Sequence, residues 1–176
     1  NEWGVTKEST LLFTNFFLLF LLALVFIGTI LPLMVEAIKG VKISIQQPFF
    51  NAFAPWIGMS LVSLLGIGNM MKWKNGKMDY PIAGLLFPFF LSTILTFYLH
   101  LQRHFDLKVF VIYLLVLWTC SVLFMDLVFR LKKLNWNGHL LLKYNRYYLG
   151  SFFVHIGFLM AVIGFSGSYS DITAMV

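Results

Sequence analysis

The stretch LLFTNFFLLFLLALVFIGTILPLMV, residues 11–35, carries no charged side chain from Leu11 to Val35. About 20 largely apolar residues suffice for a helix to cross a hydrocarbon core of about 30 Å, so this stretch is long enough to span. Four more apolar runs follow at 49–71, 80–100, 107–130 and 147–167, joined by short polar or charged loops. The repeated pattern predicts an all-α integral membrane protein, a five-helix transmembrane bundle forming one domain over residues 1–176.

Composition supports the same class. Hydrophobic residues make up 60% and charged residues 11% of the 176 positions, which leaves too little polar surface for an ordinary soluble domain. The net charge of +6 does not point to nucleic acid, because the basic residues sit in loops and form no stripe on a folded domain. Lys7, Lys72, Lys74, Lys77, Arg130, Lys132, Lys133, Lys143 and Arg146 fall on one side of the five spans. Lys39, Lys42, Arg103 and Lys108 fall on the other. Short loops rich in Lys and Arg stay inside, so the amino terminus is predicted inside and the carboxy terminus outside.

Residues 11–35 are too long for a cleaved signal, and the start at Asn1-Glu2-Trp3 suggests a processed product or a piece of a longer protein. Cys120 is the single cysteine, so no internal disulfide forms and the thiol reads as a small apolar filler.

Local signals refine the spans. Thr10 or Ser9 is expected to cap the first helix, Pro32 to kink or end it, and Gly40 to break the chain before a short extended stretch at 41–45. Gln46 to Asn51 place amides and aromatic rings at membrane-entry depth, an aromatic-belt position, with Pro55 and Trp56 just beyond. Gly66 and Gly68 suggest close helix packing or the approach of a cofactor, and Pro88 a bend in the third span. Asp126 and Arg130 stand four apart, a helical ion pair. No carboxylate pair, nucleophile–base set, phosphate loop or thiol pair supports independent catalysis. Nor is there a repeat or a mid-membrane polar cluster of the kind transporters use.

The histidines divide into three kinds. His100 and His104 flank Arg103 at the outer end of the third span, and on a continuing helix would share a face. Solvation, contact between Arg103 and a headgroup or propionate, and metal or porphyrin ligation are the three readings there. His139 lies in an inner loop and reads as solvated. His155 lies about eight residues inside the last span, and an ionisable side chain at that depth is a functional candidate by default. Gly150, Gly157 and Gly164 recur every seven residues and suggest a groove for a flat group or a helix. Axial haem ligation, an interhelical hydrogen bond and proton or substrate handling all remain open for His155 on its chemistry.

Several segments carry a resemblance. Lys7-Glu8-Ser9, Asn15, Gly28-Thr29-Ile30-Leu31-Pro32-Leu33, the stretch from Lys42 into Pro48-Phe49-Phe50-Asn51, Phe53-Ala54-Pro55 and Gly66-Ile67-Gly68 follow one another in order. With His155-Ile156-Gly157, Ile163-Gly164 and Gly167-Ser168, they resemble a section of the CcmF family, the membrane haem lyase of bacterial-type cytochrome c maturation.

The resemblance implies a subunit that takes part in covalent attachment of haem to apocytochrome c, with haem as a transient substrate. It makes His155 one axial ligand of a b-type haem, the second ligand coming from another chain, with Gly157 and Arg103 as cofactor-binding candidates. The five Trp are scattered, and the family's tryptophan-rich segment and other transmembrane histidine are missing. The implied partners are therefore other subunits of a split haem lyase that carry those parts, together with apocytochrome c and membrane lipid. Splitting, and the 20 Phe residues, favour the mitochondrial inner membrane over a bacterial plasma membrane. The competing reading is a haem-free structural subunit of a large respiratory or assembly membrane complex.

Overall fold

The computed structural model describes residues 6–44, 47–71, 82–104, 106–136 and 146–174, and for 47, 48, 82–85 and 168–174 the backbone alone. Among these residues there are five helices: α1 (Lys7–Lys39), α2 (Gln47–Met70), α3 (Ile82–Arg103), α4 (Leu107–Lys133) and α5 (Arg146–Ala174). The fold is an all-α five-helix bundle. Among the described residues, four segments are long and apolar enough to cross a membrane: Lys7–Lys39, Phe49–Met70, Leu107–Lys133 and Arg146–Gly167.

α1 starts one turn earlier than the apolar run suggests. Thr6 is the N-cap, and its hydroxyl accepts from the Ser9 amide at 3.2 Å. Ser9 Oγ accepts from the Thr6 amide at 2.9 Å, closing a reciprocal capping box. Ser9 is thus the third helical residue, not the cap, and Thr10 is buried with its hydroxyl donating to the Thr6 carbonyl at 2.9 Å. Pro32 does not end the helix, which runs on to Lys39 and closes at Gly40 in the left-handed conformation, φ 66°. Only glycine takes that backbone without strain. Pro55 and Pro88 are likewise inside α2 and α3.

α1 packs on α2, α2 on α4, and α4 on both α3 and α5. α4 is the hub. Its buried Val116, Thr119, Leu123 and Asp126 recur at alternating steps of three and four, a continuous stripe on one helical face. Val116 and Leu123 join Val62 of α2 and Phe152 and Leu159 of α5 in the main core, with half-buried Cys120 against it.

Small residues set the helix separations. A Cβ on Gly66 would lie 2.5 Å from the Trp118 ring, so only glycine admits α4 this closely. Beside it Thr119 Oγ1 donates to the Val62 carbonyl at 3.1 Å. Gly28 meets the Phe50 ring in the same way between α1 and α2. The α3 face buries Pro88, Ser92 and Thr96, spaced four apart. Outside these seams Phe13, Phe16, Leu19, Phe87, Phe90, Phe153 and Phe165 are exposed, as faces solvated by lipid or by other chains require.

Candidate functional site

His155 is half-buried on α5 and faces a cavity of about 150 Å³. The cavity lies between α1 and α5, which pack little on one another, and α2 forms its floor. Its polar lining is Lys7, Thr10, Thr14, Asn69 and His155; Leu11, Leu61, Leu64 and Leu65 supply the apolar part. The two threonine hydroxyls are spent on their own helix, Thr10 on the Thr6 carbonyl and Thr14 on the Thr10 carbonyl, each at 2.9 Å. That leaves the Lys7 ammonium, the Asn69 amide and the His155 imidazole. Asn69 Nδ2 is buried without a hydrogen-bond partner.

Lys7 and Asn69 were not legible as site residues. Lys7 counts among the inner basic residues and opens the Lys7-Glu8-Ser9 segment, and Asn69 has no role in the sequence reading. The one available signal is an amide at the end of an apolar run, which must find a partner if the fold buries it.

The other predicted candidates lie elsewhere. Gly157 follows His155 by two residues and so points about 200° away around the helix. A Cβ at Gly150, Gly157 or Gly164 would meet nothing within 4 Å, so this glycine face is open and faces away from the cavity. The glycines therefore clear no space over the imidazole, and their open face leaves room for a flat group or a helix on the opposite side of α5. Arg103 is at the far end of α3, which packs on α4. Phe152 meets Phe124 with ring centroids 5.6 Å apart, so His155 is level with the residues just before Phe124 on α4. Arg103 stands beside the start of that helix, roughly 20 Å away along its axis.

The His100–His104 pair is also rearranged. α3 ends at Arg103 and His104 takes φ 48°, leaving the helix, so the two rings do not share a helical face. Their centroids are 6.3 Å apart, and His100 packs edge-on against Phe110 at 5.5 Å. His139 lies outside the described residues.

Asp126 and Arg130 form the expected pair, Nε to Oδ2 2.9 Å, with the guanidinium also 4.1 Å above the Tyr148 ring. This ties α4 to the start of α5 and is a structural contact.

A b-type haem does not fit the residues of this chain alone. Pockets for ligands of drug size run to about 300–1,000 Å³, well above this cavity. Its single imidazole shares the space with an ammonium, and no second histidine is among the lining residues.

No family model matches the chain, and no solved structure does. Curated proteins do. It is 32% identical over 95 residues to the cytochrome c-type biogenesis protein CcmF of Pseudomonas fluorescens, covering 53% of this chain and 14% of that protein. It is 35% identical over 89 residues to CcmF of Escherichia coli, covering 51% and 14%. To the cytochrome c-type biogenesis protein ccl1 of Rhodobacter capsulatus it is 37% identical over 83 residues, covering 47% and 13%. The chain thus matches about a seventh of the length of these relatives.

All seven relatives are bacterial, which overturns the expected mitochondrial inner membrane. Many of the 20 phenylalanines lie on exposed apolar helix faces. Over about half of its length, then, the chain is similar to one section of several CcmF-type cytochrome c-type biogenesis proteins.

Proposed function

We propose that the chain is a haem-free structural section of a membrane assembly for cytochrome c maturation, completed by other chains. The observation that carries this is the His155 cavity, about 150 Å³ with one imidazole, too small and too poor in donors to hold a porphyrin. The exposed apolar faces of α1, α3 and α5 support the need for companions or lipid around it. In this reading all five helices span, with the amino terminus inside, as the basic residues in the inner loops favour. Its partners are the lyase parts that carry the tryptophan-rich segment and the other transmembrane histidine. Apocytochrome c and haem pass through the assembly as its substrates.

The second reading makes His155 one axial ligand of a b-type haem shared with another chain. It is favoured by the imidazole itself, which has no hydrogen-bond partner among the described residues and faces a gap between helices that pack little on one another. One experiment separates the two. The intact complex, purified in mild detergent, is compared with its His155→Ala form by reduced-minus-oxidised haem spectra and subunit content. An unchanged b-type signal in a complete complex is expected. Loss of that signal with all subunits retained refutes the haem-free reading.

A further inference from the structure

The cavity between α1 and α5 has an unbalanced polar lining. Lys7 brings a charge with no acidic partner among the described residues, and no Asp or Glu lines the space. Asn69 Nδ2 is a buried donor with no acceptor, a deficit of about 1–3 kcal/mol until one arrives. The threonines offer no relief, because their hydroxyl protons already go to carbonyls of α1. What is wanted at this end is an anion with several acceptor oxygens.

The rest of the lining is apolar and leads away from the charge. Leu61, Leu64 and Leu65 continue up α2 from Asn69, toward the middle of the bundle. Lys7 stands one turn before Leu11, where the apolar run of α1 begins, which is the depth at which lipid headgroups meet hydrocarbon. Since α1 and α5 pack little on one another, the space can be entered sideways, from the plane of the bilayer. A volume near 150 Å³ is of headgroup size. Basic pockets between transmembrane helices are a recurrent seat for anionic headgroups.

We propose that this groove binds one anionic phospholipid. Lys7 Nζ and Asn69 Nδ2 hold the phosphate, a nitrogen of His155 serves an ester or glycerol oxygen, and the acyl chains stay in the bilayer outside the cavity. The site goes beyond the haem-free reading and stands on different groups, Lys7 and Asn69.

The test uses the intact complex, stripped of co-purified lipid in detergent and then titrated with phosphatidylglycerol, phosphatidylcholine or inorganic phosphate. Native mass spectrometry counts bound lipid. One phosphatidylglycerol per chain is expected, with phosphatidylcholine excluded and inorganic phosphate unable to displace it. Lys7→Gln should weaken binding about fivefold, the effect of one basic residue near a headgroup. Asn69→Leu should weaken it as well. Lys7→Arg keeps the charge and should retain the lipid, as should Lys39→Gln at the opposite end of α1. Equal binding of the two lipids, or unchanged binding in Lys7→Gln, overturns the proposal. So does displacement by inorganic phosphate alone, or a partner carboxylate found cross-linked to Lys7 in the groove. Haem spectra of the same samples report separately on His155, so the two readings fail independently.

Discussion

Replacing Gly66 by alanine tests the α2–α4 seam directly. The added Cβ would stand 2.5 Å from Trp118 Cζ3 and 3.0 Å from Thr119 Oγ1, so the indole must turn or the helices must part. Inserting a methyl into a packed seam costs about 1–3 kcal/mol. Parting the helices would also stretch the Thr119–Val62 hydrogen bond of 3.1 Å, and interhelical bonds of this kind in membranes average about 0.6 kcal/mol. Gly66→Ala should therefore lose about 1–3 kcal/mol in equilibrium unfolding from mixed detergent micelles. Gly58 on the same helix is the control. Nothing lies within 4 Å of its Cβ position, so Gly58→Ala should stay within about 0.5 kcal/mol of the parent. Combining Gly66→Ala with Trp118→Leu should recover part of the loss, a coupling expected of groups in contact. If Gly66→Ala is as mild as Gly58→Ala, close packing at this seam is not what the glycine provides.

Two further expectations follow from the seams and the open face. Arg130→Met removes the 2.9 Å partner of buried Asp126 and the guanidinium over Tyr148, and should cost about 1–3 kcal/mol; changing Asp126→Asn in the same chain should restore much of it, since a matched pair of neutral groups leaves no buried charge behind. Gly157→Leu and Gly164→Leu extend into open space, so the unfolding free energy of the isolated chain should move by less than about 0.5 kcal/mol; a large loss of stability there would show that the glycine face is packed within the chain.

The sites divide by how far their determinants reach along the chain. The Asp126–Arg130 pair was legible because both partners ride on one helix at i and i+4. The direction of the glycine face was also written in the sequence, since two residues along a helix always turn through about 200°, which sets that face opposite His155. The exit of His104 from α3 was not legible, because Arg103-His104-Phe105-Asp106 holds neither glycine nor proline to mark it. Asp106 is the N-cap of α4 and accepts from the Leu107 amide at 2.8 Å, so the chain has left α3 before it.

Class, helix number and approximate span ends belong to the sequence by itself, because the requirement for about 20 apolar residues is local and can be read one window at a time. Tertiary structure decided what His155 faces. Lys7 opens α1 and Asn69 closes α2, and only the antiparallel packing of those helices, set by Gly28 against Phe50 and Gly68 against Thr10, brings them to one depth. α5 docks on α4 and packs little on α1, which leaves the gap where three polar groups distant in sequence line one cavity. Side chains in lipid find their partners through helix separation and depth, which are properties of pairs of helices and are not carried by either sequence segment alone.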